Sequence, residues 1–214
     1  QSKRTFAQTG VPYLLLDGRL SATPNTLREL GKWLGVEQLT EQQAQYAEET
    51  LKSAVDFSAV LQQTAYLARS ADGLQTGQKG SIHTEAIELV GLRNVVEGEY
   101  KGLTQVSMEQ LLLWNPDIIL TQYAEFFQTI KNNPQWSQLS AVKNQRVFFI
   151  PNQPFGWLDS PPSLNRLLGV RWLQHLLSNK QMADFAPEVQ HFYKLFYHID
   201  LTTAQAEQLL KQGQ

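Results

Sequence analysis

Three short apolar runs, Ala65-Tyr66-Leu67-Ala68, Asp117-Ile118-Ile119-Leu120 and Arg146-Val147-Phe148-Phe149-Ile150, are each followed by a stretch with helical periodicity. Continuous runs of this length, without polar alternation, read as strands buried on both faces. Strands separated by helices pair in parallel, because a crossover long enough to hold a helix brings the chain back to the same end of the sheet. The helices are predicted from Thr84 to Val90, stopped by Gly91, and from Ser107 to Trp114, with Ser107 and Gln110 as a capping box. Others run from Phe126 to Lys131 and from Pro161-Pro162 through Leu167, Leu168 and Trp172 to Leu177. Two helices close the chain, about Pro187 to Tyr197 and Thr203 to Leu210, the second capped by Thr202 with Gln205. The pattern predicts an α/β fold with a Rossmann-like, doubly wound sheet.

The amino-terminal part has a different texture. Val11-Pro12-Tyr13-Leu14-Leu15-Leu16-Asp17, between Gly10 and Gly18, reads as one more buried strand. Thr23-Pro24 then opens a helix with Leu27, Leu30 and Leu34 on one face, and Gly35 stops it. Thr40 with Gln43 has the capping-box pattern and is expected to open a second helix through Ala44, Ala47, Leu51 and Val55 towards Leu61. A long helical span thus precedes the alternating region.

A net charge of -2 and a pI near 6.1, with basic residues scattered along the chain, argue against a nucleic-acid partner, which requires clustered cations. No apolar run approaches the roughly 20 residues of a membrane span, and Gln1-Ser2-Lys3-Arg4-Thr5-Phe6 lacks the apolar core of a signal peptide. The absence of cysteine excludes disulfides, thiolate metal sites and cysteine nucleophiles, while leaving the compartment open.

In open α/β sheets ligands bind outside the carboxyl ends of the strands, which directs attention to residues 69–82, 121–125 and 151–160. The first holds Asp72-Gly73-Leu74-Gln75-Thr76-Gly77-Gln78-Lys79-Gly80-Ser81, whose backbone N–H groups suit an anion. It lacks the Gly-Lys-Ser/Thr order of a nucleotide-binding P-loop, because Gly80 separates Lys79 from Ser81. His83, at the mouth of the following helix, reads either as an imidazole reaching a ligand or as an aid to capping. His175, His191 and His198 fall in the closing helices and read as structural or surface histidines. No histidine spacing or serine motif marks a metal centre or a catalytic triad, so no metal ligand, resident cofactor or catalytic residue is assigned.

The segment Pro154-Phe155-Gly156-Trp157-Leu158-Asp159-Ser160-Pro161-Pro162-Ser163 places two aromatics just past a strand. They form either a platform for a planar or greasy ligand, with Trp157 favoured, or a closure of the core. Arg166 supplies either a cation to an anionic ligand or a structural partner for Asp159.

Four ordered segments together resemble the class III periplasmic solute-binding proteins of ABC importers. They are Thr76-Gly77-Gln78-Lys79-Gly80-Ser81-Ile82 with Glu88-Leu89-Val90-Gly91-Leu92-Arg93-Asn94-Val95, then Val106-Ser107-Met108-Glu109-Gln110-Leu111, then Trp114-Asn115-Pro116-Asp117-Ile118-Ile119-Leu120, and Phe155-Gly156-Trp157 through Pro161-Pro162-Ser163-Leu164-Asn165-Arg166-Leu167-Leu168-Gly169. The resemblance implies two α/β lobes joined by a long helix, with ligand held between them. On that scheme residues 1–22 are a remnant of an amino-terminal lobe that is largely missing, 23–60 are the connecting helical span, and 61–214 are the carboxy-terminal lobe.

The resemblance also implies a binding protein rather than an enzyme, periplasmic or membrane-anchored facing the periplasm. It would deliver a metal chelate, such as a ferric siderophore, to an ABC permease. Molybdate or tungstate, or haem, are the alternatives within the same fold, and a phosphate-handling α/β enzyme is the alternative of another class. The expected ligand residues are Arg69, Ser81, His83, Tyr123, Trp157 and Arg166. A siderophore would use Trp157, Tyr123, Arg69 and Arg166, haem would have Tyr123 and His83 within reach, and a small oxyanion would use Ser81, Thr84 and Ser160. Leu103 stands where cobalamin-binding members carry an aromatic. Glu109 occupies the position of the glutamate that pairs with permease arginines. Apolar surface on the helical span, left without a first-lobe partner, is expected to favour dimerisation.

Overall fold

The computed structural model describes residue 10 and residues 13–58, 62–98 and 102–212. Helices α1 (Thr23–Leu34) and α2 (Glu37–Ser58) come first. They are followed by β1 (Thr64–Ala68), β2 (Gln75–Gly77), α3 (Glu85–Leu89), β3 (Arg93–Asn94), β4 (Leu103–Gln105), α4 (Met108–Trp114), β5 (Ile118–Thr121) and α5 (Ala124–Thr129). After them come α6 (Ser140–Lys143), β6 (Val147–Phe149), α7 (Asn165–Leu177), α8 (Ala186–Tyr197) and α9 (Thr203–Leu210).

The expected parallel sheet forms, in the order β3-β1-β5-β6, with Ala65 opposite Ile118 and Ile119 opposite Val147. Every residue of β1 and β5 is buried, as a sheet covered on both faces requires. Successive side chains point to opposite faces. Ala65, Leu67, Ile118 and Leu120 therefore join Ala47 of α2, Leu168 of α7 and Phe192 of α8 in one core. Tyr66, Ala68 and Ile119 join Leu111, Phe126 and Trp136 in the other. Each fully buried Ile or Leu of β5 contributes about 2 kcal/mol of burial free energy. Asp117 fixes where β5 starts: its Oδ2 accepts the Thr64 N–H at 2.8 Å and the Thr64 hydroxyl at 2.7 Å. The Thr64 N–H holds this carboxyl below its ordinary pKa.

The structure departs from the sequence reading in five places. Residues 11 and 12 lie outside the described residues, and residues 13–18 form no strand. Tyr13, Leu14, Leu15 and Leu16 are 44%, 55%, 51% and 45% exposed, because among the described residues no neighbouring strand covers them. Leu34 is likewise 70% exposed, off the buried face of α1. Helix α2 begins at Glu37 rather than at Thr40, whose hydroxyl donates back to Val36 and Glu37 carbonyls. Gly35, at φ +67°, turns the chain so sharply that the helix restarts two residues later. Pro161-Pro162 do not open α7, which starts at Asn165 after a cis Ser160-Pro161 bond. Finally, β2 and β4 pair as a separate antiparallel ribbon, and β3 adds two residues to the main sheet. Strands of two or three residues are too short to leave a periodic signature.

Helix α2 is fastened to the lobe by Arg171 of α7. Its guanidinium lies 4.1 Å from the Tyr46 ring centroid, donates to Thr50 Oγ1 at 2.6 Å and pairs with Glu188 of α8 at 3.4 Å. The Tyr46 hydroxyl closes the network by donating to Glu188 at 2.6 Å. Arg28, which joins α1 to α2 through Glu41 and Glu48, works between carboxylates that are 44% and 49% exposed. Water therefore screens the second network far more than the first. Arg171→Ala should lower stability by about 2 kcal/mol or more, and Arg28→Ala by about 1 kcal/mol or less, in chemical denaturation. Equal losses would show that the Arg171 network does not set the attachment of α2.

Candidate functional site

The parallel strands β1, β3, β5 and β6 stand in the spatial order β3-β1-β5-β6, so the winding reverses between β1 and β5. The crevice at such a reversal is where open α/β sheets bind ligands. Arg69 leaves the carboxyl end of β1, its backbone N–H anchored on Gln75 O at 2.8 Å at the base of the β2–β4 ribbon. Gln122 and Tyr123 leave β5, and the Tyr123 N–H is held by Thr121 Oγ1 at 3.2 Å. The loop after β6 folds back over both.

Asp159 joins these loops. Its side chain is 1% exposed, with Oδ2 in contact with Arg69 Nη1 and Oδ1 2.8 Å from His83 Nδ1. Arg69, His83 and Asp159, far apart in sequence, thus form one cluster, and Tyr123 lies near enough to influence the Arg69 charge. The loop reaches this position through two glycines. A Cβ on Gly156 would collide with Asp159 O and Gln122 Oε1, and one on Gly169 of α7 would collide with Trp157 O. Gln122 Oε1 is buried without a hydrogen-bond partner among the described residues.

The electrostatics follow from burial. Desolvation lowers the pKa of Arg69 from its ordinary value. Desolvation, followed by repulsion from Arg69 and Arg166, holds His83 below the ordinary imidazole pKa of 6.5. A carboxylate at 2.8 Å would by itself favour imidazolium. Here Asp159 is shared with a guanidinium, which cancels much of that effect. The neutral ring donates from Nδ1 to Asp159 and leaves Nε2 as an acceptor.

Arg166 is 3% exposed, with Nη1 on Glu85 at 2.6 Å and on Ile82 O, Nη2 on Gly18 O and Nε on Ser163 O. Its partner is therefore Glu85 rather than Asp159, and it ties the segment before α1 to α3 while lining a cavity of about 320 Å³ with Leu16, Thr23 and Leu27. Trp157 is fully buried in the core, its Nε1 donating to Gln153 O at 3.3 Å. The ring therefore offers no platform to solvent, and Phe155, 47% exposed, is the aromatic on the surface of this loop. Ser81 is buried with its hydroxyl 3.3 Å from Thr84 Oγ1.

The glycine loop satisfies its own donors. The N–H groups of Gln78, Lys79 and Ser81 bond to Gly102 O, Val96 O and Gln78 O, and that of Gly80 donates to the Glu88 carboxylate at 3.0 Å. An acidic side chain of this protein occupies the position an anion would take. Glu109 is exposed in the first turn of α4, behind the Ser107 and Gln110 capping box that the sequence predicted. Its own backbone N–H and the Ser107 hydroxyl hold its carboxyl below the ordinary value, and it pairs with no cation among the described residues.

Sequence reasoning missed Gln122, and took Asp159 only as a partner for Arg166. The available signal for Gln122 was its place directly after β5. Nothing local marks Asp159, whose partners come from two other loops.

Residues 7–154 match the model of a family described as periplasmic binding protein. Over 147 residues the chain is 33% identical to the molybdate-binding protein MolA of Haemophilus influenzae, covering 66% of this chain and 41% of that protein. It thus spans about two fifths of the length of that relative. A solved ABC transporter solute-binding protein from Sulfurospirillum deleyianum superposes with a TM-score of 0.89 at 29% identity, over 98% of this chain and 68% of that one. The molybdate-bound structure of MolA superposes with a TM-score of 0.74 at 21% identity, over 94% of this chain and 69% of that one, a likeness of fold. The sheet order and the family match lead to one conclusion: this chain belongs to the periplasmic binding protein family.

Proposed function

We propose that the chain provides the connecting helices and carboxy-terminal lobe of the substrate-binding component of an ABC importer, and that its ligand is a compact oxyanion of the molybdate class. Residues 1–22 then belong to an amino-terminal lobe, 23–60 to the connection and 61–214 to the lobe described above. The observation that carries the ligand reading is the buried Arg69, Asp159 and His83 cluster at the winding reversal. A compact, largely buried group of charged and polar side chains favours a small charged ligand over a large apolar one. The identity with the molybdate-binding protein supports the same class.

A metal chelate such as a ferric siderophore is the second reading, favoured by two aromatics on the loops at the strand ends, the exposed Phe155 after β6 and the half-buried Tyr123 after β5. Haem would draw on Tyr123 and His83. The family match supports a binding role over a phosphate-handling enzyme, and the internally satisfied glycine loop argues in the same direction. A periplasmic location, free or anchored, accords with the family, and no helix among the described residues is long and apolar enough to cross a membrane. The exposed Trp33, Leu34, Val36 and Val55 of the helical span offer the expected self-association a surface.

Calorimetric titration of the complete two-lobed protein with molybdate, tungstate, a ferric hydroxamate and haemin separates these readings. Binding of the oxyanions alone is expected, and binding of a chelate without the oxyanions would reject the ligand class. Arg69→Lys keeps the charge opposite Asp159 but loses the planar fork. It should weaken oxyanion binding about tenfold or more while leaving the fold intact by circular dichroism. An unchanged Kd would remove Arg69 from the site.

The exposed Glu109 carboxylate is read as a docking contact for permease arginines. Glu109→Lys should reduce permease affinity and uptake about tenfold at unchanged ligand Kd. Uptake equal to the wild type would leave Glu109 as a helix-terminal carboxylate only.

A further inference from the structure

The cations around the strand ends are already matched by carboxylates. Arg69 meets Asp159, Arg166 meets Glu85 at 2.6 Å, Lys79 of the glycine loop meets Glu97 at 3.1 Å, and Arg19 meets Asp17. Glu88 on α3 is engaged by Thr84 and the Gly80 N–H. The charged groups that act on His83 are Asp159 after β6, in contact with its Nδ1, Arg69 after β1 and Arg166 on α7; Glu85 pairs with Arg166, and Tyr123 acts on Arg69. With a neutral His83, the two guanidinium groups and the two carboxylates paired with them cancel.

A doubly charged oxyanion entering such a site leaves water without gaining an unmatched positive charge. That is costly, because a buried charge needs a counter-charge as well as hydrogen bonds. One side chain in the cluster is able to supply it. The His83 ring is held by its Nδ1–H on Asp159, and its side chain is 21% exposed, against 10% for Arg69 and 1% for Asp159. Its second nitrogen, Nε2, carries a lone pair in the neutral ring. That lone pair repels an anionic oxygen, whereas Nε2–H⁺ donates a charge-assisted hydrogen bond to it.

We infer that capture of the oxyanion takes up one proton from solvent, and that His83 Nε2 receives it. The inference rests on the oxyanion reading above. In the free protein, burial and the two arginines hold His83 below 6.5. The bound dianion raises that value, since an opposite charge nearby favours the protonated ring. Between the two values the complex binds one proton more than the free protein, so affinity increases as pH falls through that interval and is level on either side. The site then selects ligands that remain dianions near neutral pH over monoanions of the same size, because a monoanion raises the imidazole pKa less.

The test is calorimetric titration of the complete two-lobed protein with molybdate, in two buffers of different ionisation enthalpy, from pH 5.5 to 8. The wild type should take up close to one proton per molybdate where its Kd is pH-dependent, and the Kd should tighten by about tenfold per pH unit there. His83→Gln presents an amide donor without a titrating group, so it should bind with no proton uptake and a level pH profile. Uptake that persists in His83→Gln would place the proton on the ligand and overturn the assignment. Wild-type binding without uptake at any pH would overturn it as well, while leaving the oxyanion reading intact. Failure of molybdate and tungstate to bind at any pH would overturn both.

Discussion

A carboxylate that is 1% exposed has no water to stabilise its charge, so the Asp159 side chain exists in this fold only through the groups brought to it. Arg69 approaches from the loop after β1 and His83 from the turn before α3, and the loop after β6 is drawn across the ends of β1 and β5 to meet them. Two positions without side chains make that approach possible. Gly156 passes against Gln122 and the Asp159 carbonyl, and Gly169 lets Trp157 lie against α7 with its ring in the core. The segment that resembles an aromatic platform in sequence is thereby turned inward, with Trp157 in the core two residues before the buried Asp159. Replacing any one of these contacts leaves a buried charge without its counterpart, and removing one partner of a buried pair is far more damaging than its net contribution suggests.

The same economy of partners governs the connection to α1. Arg166 spends its donors on Glu85, Ile82 and Gly18, and Glu85 in turn accepts the Leu20 N–H at 2.9 Å. The turn carrying Ile82 and His83 is therefore gripped on one side by the residue that holds the linker and on the other by the residue that holds the strand ends. The position of His83 and the direction in which residues 18–20 leave the lobe therefore depend on one set of shared contacts. Arg171, Tyr46 and Glu188 repeat the arrangement further along α2.

Much of the scaffold is legible in the residues themselves. The strands show because a sheet covered on both faces demands uninterrupted apolar runs, which Ile118-Ile119-Leu120 supply. The boxes at Ser107 with Gln110 and Thr202 with Gln205 both form, because the residue before each helix is extended and its first N–H groups lack other partners. The same letters at Thr40 with Gln43 do not form one. Gly35 lets α2 begin earlier, Thr40 then sits within a turn of helix against Gly31, and Gln43 reaches Leu195 O at 3.0 Å instead. A local motif is decided by the backbone that precedes it.

The site is less legible, and for a physical reason. Its central pairings bring together positions 69, 83 and 159, whose proximity depends on the order in which parallel strands stack and on which loops cross above them. Neither composition nor periodicity carries that information. The glycine loop misleads in the opposite sense, because its composition suits an anion while Glu88, a residue of ordinary helical character in sequence, folds back to satisfy the Gly80 N–H. Charge matching then becomes the decisive property of this lobe. On the proposed oxyanion reading, with the cations already paired, selectivity would depend less on how many arginines surround the crevice than on which single group can still change its charge.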